Sequence, residues 1–281
     1  MTKIQIRPVN EERDQDAIIN LLINFFPAKN HWKKLFSYKL WKTKSDLMGF
    51  VICDGENIVG YIGIILNDFY LSNGEKHSIC NVTSWFVLPD YRQHSLPLIR
   101  KVLALKKVTW TNLSASKAVC QFFLNYGFKP FATHKHIVLP LGGINSKIQI
   151  IMNNIEAYLD PTHQKIYLEH INTCSIHFIL KKENLCCYCI AVKTQHKKIP
   201  LAKIYYVSHK NIFNNLLKES RLKLCIKLKV VYLIVESQYM ESNYMIGMYT
   251  RQLNHPRLYK SDTLTPDDIS LLYSELLVLG I

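Results

Sequence analysis

The segment Val82–Leu103 carries residue types that bind phosphate. Its sequence predicts a strand, a short turn that contains Arg92, and the start of a helix. A helix N-terminus attracts anions because its first N–H groups lack partners within the helix and because the helix dipole is positive there. An arginine guanidinium adds two parallel donors that match a phosphate. The segment therefore predicts a site for a phosphate-containing ligand, and a basic turn before an ordinary helix is the alternative.

Two other groups of residues have the composition of metal ligands. His134 and His136 share one face of a predicted strand, but no third ligand accompanies them, and a surface strand explains them better. In Cys186-Cys187-Tyr188-Cys189, strand alternation places Cys187 and Cys189 on one face. No Cys-x-x-Cys pair elsewhere could complete a site, so these cysteines are predicted to be buried as small apolar side chains. The sequence therefore predicts no metal site.

The elements around the phosphate-binding segment are predicted from apolar periodicity and turn residues. Asp54-Gly55 between two apolar runs predicts a β-hairpin. A helix over Leu96–Lys106 connects the predicted strands Ser78–Val87 and Val108–Leu113. A further helix is predicted over Ser114–Tyr126, capped by its first residue and ended by the glycine that follows it. This order predicts an α/β fold with a mixed sheet and a right-handed crossover.

The second half of the chain is predicted to be a separate mixed α/β unit. Pro140–Ser146 is the best linker, so the predicted domains are residues 1–140 and 147–281. After a predicted helix over Lys147–Leu159, the order β-β-β-α-β repeats the core of the first half. The segment Glu241–Pro256 is predicted to be irregular, and Asp267–Val278 a closing helix. The repeated order suggests a degenerate second copy of the first half, although no sequence repeat accompanies it.

The composition favours a folded protein with a basic surface. Of the 281 residues, 48% are hydrophobic, and no apolar run approaches the roughly 18 residues of a membrane span. The N-terminus lacks the apolar stretch of a signal peptide, and the eight cysteines show no disulfide spacing, which favours a reduced, cytoplasmic protein. The net charge of +14 favours anionic partners such as CoA, nucleotides, nucleic acid or anionic lipid, and a merely solvated basic surface is the equal alternative.

Two motifs in residues 1–140 resemble those of the GNAT superfamily of acyl-CoA N-acyltransferases. Phe86-Val-Leu-Pro-Asp-Tyr-Arg92 is similar to the family's V-x-P-x-[YF]-R motif at the end of a strand. Asn112-Leu-Ser-Ala-Ser116, followed by Tyr126-Gly-Phe128, is similar to its later strand–helix motif. The predicted Asp54-Gly55 hairpin also fits the order of elements expected in the family. The resemblance covers the first half of the chain and implies a GNAT-like acyltransferase domain that uses acetyl-CoA or another acyl-CoA, without a metal.

The resemblance also implies roles for individual residues. Acyl-CoA would lie where two parallel strands separate, and the pantetheine amides would pair with the backbone of one of them, at Phe86, Val87 and Leu88. The pyrophosphate would be held by Arg92 and by the N–H groups of Gln93, His94 and Ser95. On the second strand and the helix after it, the predicted cofactor contacts are Asn112 and Ser116, for which a helix cap with a polar flank is the alternative.

Three departures from the family pattern concern the chemistry. Ser95 and Pro97 replace two glycines of the phosphate loop. Phe123 occupies the position at which many members have a tyrosine that protonates the leaving thiolate. The strand before the V-x-P motif, Asn81–Trp85, offers no carboxylate as general base. Thr83 on that strand could order a water molecule, but an ordinary strand residue is the better explanation.

Thr111-Asn-Leu-Ser-Ala-Ser-Lys117 and the serine-aromatic start of the V-x-P strand are similar to a subgroup of acyltransferases linked to bacterial surface-sugar pathways. This similarity implies a bacterial enzyme whose small-molecule amine acceptor could be an amino sugar. Three tryptophans could line the acceptor pocket, although core packing is the better explanation for each: Trp32, Trp41 and Trp85.

Three functions therefore remain open from the sequence. The first is an N-acyltransferase that moves a short acyl group, such as acetyl, from acyl-CoA to an amine in a direct ternary complex. The second is a non-catalytic sensor that binds acyl-CoA or a nucleotide, which the missing glycines and the missing acid favour. The third, less favoured, is binding of a nucleic acid such as tRNA through the positive charge.

Overall fold

The computed structural model describes residues 4–9, 13–25, 29–37, 47–71, 75–143, 147–240 and 245–280. The chain forms two units. Unit 1 contains Met1–Lys129, Leu258–Thr265 and Tyr273–Glu275, and unit 2 contains Pro130–Arg257, Pro266–Leu272 and Leu276–Ile281. Two stretches from the C-terminal part of the chain therefore belong to unit 1. The predicted linker Pro140–Ser146 falls within unit 2, and its residues 144–146 lie outside the described ones.

The helices and strands described up to residue 125 form most of unit 1. In chain order they are β1 (Ile4–Pro8), α1 (Arg13–Ile23), α2 (Lys29–Ser37), β2 (Gly49–Asp54), β3 (Asn57–Tyr70), β4 (Lys76–Val87), a 3-10 helix (Pro89–His94), α3 (Ser95–Leu103), β5 (Thr109–Asn112) and α4 (Lys117–Asn125). The predicted hairpin is the β2–β3 pair, and the predicted crossover helix is α3.

The remaining elements start at residue 129. In chain order they are β6 (Lys129–Val138), β7 (Gln149–Ile151), a 3-10 helix (Ile155–Tyr158), α5 (Pro161–His170), β8 (Ser175–Lys182), β9 (Leu185–His196), β10 (Ile199–Val207), α6 (Lys210–Leu228), β11 (Tyr232–Glu236), a 3-10 helix (Ser237–Tyr239), β12 (Met248–Lys260), a 3-10 helix (Pro266–Asp268) and α7 (Glu275–Leu279).

The sheet of unit 1 is mixed. Strands β1 to β4 pair antiparallel in chain order, and β5 joins β4 in parallel. The last residues of β12, Leu258–Lys260, pair antiparallel with β5. Alternate residues of β2 face two different cores: Phe50 and Ile52 pack with α3 and α4, whereas Val51 and Cys53 pack with α1. Helices therefore cover both faces of the sheet, which confirms the predicted α/β class.

The strands of unit 2 also pair in a mixed arrangement. Strands β7 to β10 pair antiparallel in chain order, β11 joins β10 in parallel after α6, and β11 pairs antiparallel with β6. Helix α6 buries Phe213, Leu217 and Leu224, which recur at helical spacing. In both units three strands are followed by a crossover helix and a further strand; unit 1 has two α-helices, α1 and α2, before the three strands, where unit 2 has α5. This arrangement is compatible with the predicted mixed α/β second half, and its bounds, residues 147–281, stay a prediction.

Two helices predicted in the second half are wrong. Lys147–Leu159 forms β7 and a 3-10 helix, because Asn154 adopts a left-handed conformation (φ 51°) that interrupts a helix. A helix begins only after Asp160, whose side chain accepts a hydrogen bond from the His163 N–H and caps α5. Likewise Asp267–Val278 is helical only at its two ends, since Tyr273 is left-handed (φ 55°).

The segment Glu241–Pro256, predicted to be irregular, mostly forms strand β12. Residues 245–247 form a turn and residues 248–256 belong to β12, whereas residues 241–244 lie outside the described ones. Four consecutive exposed positions near the start of β12 conceal the alternation of apolar and polar residues by which strands are recognised.

Candidate active site

Strands β4 and β5 pair over only three positions. Their parallel ladder joins Ile79 to Thr109, Cys80 to Trp110, and Asn81 to Thr111, although β4 continues for six more residues. Strand β5 ends one residue later, at Asn112, and its other edge pairs with β12. Among the described residues, the edge of β4 from Thr83 to Val87 therefore lacks a strand partner on the β5 side. Free backbone N–H and C=O groups on such an edge can bind an extended ligand.

A β-bulge changes the course of β4 at the same place. Thr83 pairs with Gly63 and Phe86 pairs with Tyr61, so two residues of β4 face one residue of β3. Ser84, one of the two, has a left-handed φ of 52°, which is uncommon for a residue other than glycine. Bulges and strained backbone of this kind occur next to active sites, where they redirect a strand edge or a side chain.

A groove of about 490 Å³ runs beside the unpaired part of β4. Its floor is β4, one wall is the turn before α3, and the other wall is α4; the lining residues are Trp85, Phe86, Val87, Arg92, Ser95, Ala118, Val119 and Phe122. The structure thus brings together four residues that the sequence predicted as cofactor contacts. Leu88, Gln93, His94, Asn112 and Ser116 do not line this groove. The volume lies within the usual range for small-molecule sites.

The turn that carries Arg92 is a 3-10 helix fixed by a contact from the hairpin. The Tyr91 hydroxyl donates to Asp54 Oδ2 at 2.6 Å, and this hydrogen bond raises the pKa of Tyr91. Arg92 is exposed, so its guanidinium is available to an anion. The Ser95 N–H donates to the Arg92 carbonyl within the turn. Of the two Ser95 groups, the hydroxyl is therefore the better candidate for a ligand contact.

Asn112 bridges β5 to β4 just past their last paired position. Its side-chain N–H donates to the Val82 carbonyl at 2.9 Å, and the residue is buried. The Oδ1 atom of the same amide is buried and accepts no hydrogen bond from the described protein atoms. A buried acceptor without a donor is costly. A ligand N–H that enters the gap between the strands would remove that cost.

A buried carboxylate, Glu275, lies at the same point of unit 1. Its side chain accepts hydrogen bonds from Asn81 Nδ2 and from Ser114 Oγ. The Thr111 hydroxyl in turn donates to Asn81 Oδ1 at 3.2 Å. Ser114 was predicted to cap α4, but the N-cap is Ser116, so that prediction is wrong. Ser114 binds the carboxylate instead.

Only a weak signal in the sequence indicates a role for Glu275. It is the single acidic residue in the apolar run Leu271–Leu279, and only 2% of its surface is exposed. Charged residues are rarely buried without paired polar partners, so a lone acid in an apolar run indicates a polar network. Nothing in the sequence indicates that the partners are Asn81 and Ser114.

The aromatic wall of the groove differs from the family-based prediction. Phe123, which occupies the family's tyrosine position, is fully buried and packs against Phe128 with ring centroids 4.5 Å apart. Its neighbour Phe122 lines the groove and lies edge-on to Trp85 at 5.0 Å. A hydroxyl donor aimed at the groove would therefore be expected at position 122.

The other predicted acceptor-site and catalytic residues are dispersed. Thr83 is buried, with its hydroxyl 3.2 Å from that of Ser84. Trp85 lines the groove, whereas Trp32 packs against the core beside α1. The remaining tryptophan, Trp41, lies outside the described residues.

Residues of the two candidate metal groups have contacts within the chain or are buried in it. His134 Nδ1 lies 2.8 Å from the Thr133 hydroxyl and His136 Nδ1 lies 3.0 Å from that of Thr250. Cys187 and Cys189 are fully buried. In the part of the chain that the structure describes, no three His, Cys, Asp or Glu side chains are grouped so that they could hold a metal ion. Nor is any described helix both long and apolar enough to cross a membrane.

Solved structures of N-acetyltransferases match this architecture over nearly the whole chain. A GCN5-related N-acetyltransferase from Anabaena variabilis matches with a TM-score of 0.60 and 10% identity, over 92% of this chain and 72% of that chain. The chain has the fold of the GCN5-related N-acetyltransferases. A second such enzyme, from Kribbella flavida, matches with a TM-score of 0.55 and 10% identity, over 91% of this chain and 71% of that chain.

A third match is the GCN5-related glucosamine N-acetyltransferase region of a fungal multi-domain β-N-acetylglucosaminidase. Its TM-score is 0.57 at 14% identity, over 92% of this chain and 38% of that chain. No protein-family model and no curated protein sequence matches the chain. The likeness therefore lies in the GNAT fold, and the function has to be argued from the site.

Proposed function

We propose that the protein transfers a short acyl group from acyl-CoA to a primary amine, with both substrates bound at once. The observation that supports this most directly is the unpaired edge of β4 beside a groove that ends at Arg92. An extended molecule with amides along its length and phosphates at one end matches such a surface. Acyl-CoA has this construction.

Residues of the groove and of the strand edges beside it fit the parts of acyl-CoA. The β4 backbone from Thr83 to Val87 would pair with the pantetheine amides, and the unsatisfied Asn112 Oδ1 would accept one of their N–H groups. The guanidinium of Arg92 and the hydroxyl of Ser95 would bind the pyrophosphate. The apolar wall formed by Val119 and Phe122 would pack against the methylene groups of the pantetheine arm.

Unit 2 is a poorer candidate for binding acyl-CoA, although it too has three strands followed by a crossover helix and a strand. Its strand β10 passes into α6 through only Ser208 and His209, without a turn like the 3-10 helix that carries Arg92. The hydroxyl of Ser208 accepts a hydrogen bond from the Tyr188 N–H, so it is already used within the unit. We therefore propose unit 1 as the acyl-CoA unit.

The reaction proposed is a direct displacement at the thioester. The neutral amine attacks the carbonyl carbon, a C–N bond forms, the C–S bond breaks, and CoA leaves as a thiolate. The protein orients both partners, which removes much of the entropic barrier. Phe122 on the groove wall cannot donate a proton to the thiolate, so that proton would come from solvent or from the acceptor.

The acceptor is proposed as a small amine, and an amino sugar is the first to test, since the fungal region with the same fold is described as a glucosamine N-acetyltransferase. A cytoplasmic location and a bacterial source stay predictions from the sequence.

The proposal is tested by CoA binding and thiol release. Acetyl-CoA should raise the melting temperature, because a ligand selective for the native state stabilises it. Arg92→Ala should weaken CoA binding by about 1.5–3 kcal/mol, the worth of a charged hydrogen bond. Arg100→Ala is the matched control, since Arg100 is exposed on α3 outside the groove. Equal affinities for the parent and Arg92→Ala would contradict the assignment, and binding without turnover on any amine would indicate a sensor.

A further inference from the structure

Resting on the proposed function, we propose that Glu275 is the general base of this transfer. The base would be a carboxylate supplied by a C-terminal segment to a strand that has none of its own. Strand β4 has an amide, Asn81, at the point where it separates from β5. The side chain of Glu275 is hydrogen-bonded to that amide. Asn81, Thr111, Ser114 and Glu275 all belong to unit 1.

The position of the carboxylate is the first argument. Asn81 is the last β4 residue in the ladder with β5, and Ser114 is two residues beyond the end of β5. Because Glu275 accepts from both, its carboxylate lies between the two strands where their pairing stops. The unpaired edge of β4 begins at this point. A thioester whose pantetheine arm lies along that edge would end close to the carboxylate.

The hydrogen bonds are the second argument. Asn81 Nδ2 donates to Oε2 and Ser114 Oγ donates to Oε1, so the two oxygens are held in a fixed orientation. A carboxylate oxygen has two lone-pair directions, so one hydrogen bond does not by itself prevent the oxygen from acting as a base. Thr111 fixes the rotation of the Asn81 amide, because its hydroxyl donates to Oδ1. A base positioned in this way needs no rearrangement before reaction.

The third argument is a route for the proton. Glu275 is 98% buried, but Ser114, whose hydroxyl is bonded to it, is exposed. The proton that the carboxylate takes from the amine can therefore pass to solvent by way of the Ser114 hydroxyl.

The step balances without any other reactant. The amine nitrogen forms a bond to the thioester carbonyl carbon and gives one proton to Glu275. The C–S bond breaks, and its electron pair leaves on the CoA sulfur. The proton held by Glu275 then passes through Ser114 to water, and the thiolate takes one proton from water. The net products are an amide and CoA thiol.

The experiment compares the parent with Glu275→Gln and with the exchanged pair Asn81→Asp/Glu275→Gln. Glutamine keeps the shape and can still accept from Asn81, but it cannot take a proton at neutral pH. The exchanged pair returns one carboxylate and one amide to the same contact. CoA release from acetyl-CoA is followed with glucosamine, spermidine and benzylamine from about pH 5 to pH 10, the range in which general-base catalysis is resolved. CoA affinity is measured by calorimetry, which does not depend on turnover.

Glu275→Gln should bind CoA as the parent does and lose about 10²–10⁴-fold in turnover, the usual contribution of a general base. The parent's rate should fall at low pH, and this fall should be absent from the pH profile of Glu275→Gln. The exchanged pair should recover part of the parent's rate. Glu56→Gln, an exposed acid in the β2–β3 turn, is the matched control and should behave as the parent.

Parent-like turnover in Glu275→Gln would overturn the inference. So would a joint loss of turnover and CoA affinity that the exchanged pair does not restore, because Glu275 would then only hold the strands together. If Glu275→Gln does not fold, the test depends on the double variant Asn81→Asp/Glu275→Gln. Turnover in the double variant would support a carboxylate base at this contact. A folded but inactive double variant would exclude that base. If the parent binds CoA but acylates no amine, the proposed function is wrong, and the inference that rests on it is wrong as well.

Discussion

Asn112 on β5 donates its side-chain N–H to the backbone carbonyl of Val82 on β4, at 2.9 Å, one position beyond the last rung of the parallel ladder. The side-chain amide thus takes the place of a backbone rung. It lets the strands separate while the Val82 carbonyl keeps a partner. The gap between β4 and β5, where acyl-CoA is proposed to bind, depends on this side-chain hydrogen bond in place of backbone pairing.

Asn112→Ala is therefore expected to lower both stability and CoA affinity. The Val82 carbonyl would lose its donor, which costs about 1–3 kcal/mol for a buried group. The acceptor proposed for a pantetheine N–H would be lost as well. Chemical denaturation and calorimetry with CoA measure the two effects. Asn125→Ala, an exposed asparagine near the end of α4, is the control and should change neither. A stable Asn112→Ala protein with unchanged CoA affinity would show that the bridge is dispensable.

Tyrosine substitutions at neighbouring positions of α4 should have opposite effects. Phe122→Tyr places a hydroxyl on the groove wall, where it can protonate the leaving thiolate. Turnover should therefore be preserved or raised. The increase can reach the roughly 10²–10⁴-fold that is typical of acid catalysis. Phe123→Tyr buries a hydroxyl in the core and should destabilise the protein by about 1–3 kcal/mol. Single-turnover acyl transfer and thermal unfolding separate the two. If Phe123→Tyr raises turnover without loss of stability, the rotation of α4 described here is wrong.

The contact between Tyr91 and Asp54 should matter for the phosphate turn rather than for the fold. Tyr91→Phe removes a hydrogen bond of 2.6 Å at the surface and leaves the ring in place. CoA affinity should fall by a few-fold, because the turn that carries Arg92 loses a restraint, while the melting temperature should change little. Calorimetry with CoA provides the measurement, and Tyr249→Phe, an exposed tyrosine in unit 2, is the control. A large loss of stability without a change in affinity would contradict this role.

Two buried histidines in unit 2 should make stability depend on pH. Burial lowers the pKa of His170 to about 3 and that of His177 to about 4. Below the unfolded value near 6.5, the unfolded chain binds protons that the folded protein does not, so the free energy of unfolding should fall as pH drops from about 6.5 toward 4. The slope is about 1.4 kcal/mol per pH unit for each histidine.

His177→Gln should reduce the slope of the unfolding free energy against pH by the contribution of one histidine, about 1.4 kcal/mol per pH unit. The substituted side chain can keep a contact with the Tyr188 hydroxyl, which lies 2.6 Å from His177 Nδ1. His196→Gln, at an exposed position, is the control and should leave the slope near that of the parent. Urea titrations at several pH values give the comparison. An unchanged slope in His177→Gln would mean that His177 is protonated in the folded protein.

Much of the first half could be predicted because its signals are local. The Asp54-Gly55 hairpin, the Arg92 turn and the crossover helix each depend on neighbouring residues, and each is where the sequence predicted it. Glu275 could not be found in this way, since its partner Asn81 is 194 positions away. Phe122 was missed for another reason: family spacing identifies a position but not how the helix is rotated about its axis.

Hydrogen exchange with and without acetyl-CoA tests most directly the claim that acyl-CoA binds along the unpaired edge of β4. The account predicts slower exchange in peptides that cover Thr83–Ser95, whose strand edge and turn would be covered by ligand. Peptides that cover the matching β10–α6 segment of unit 2, residues 204–215, should be unchanged. Protection confined to residues 204–215, or no protection in Thr83–Ser95 at saturating acetyl-CoA, would contradict it.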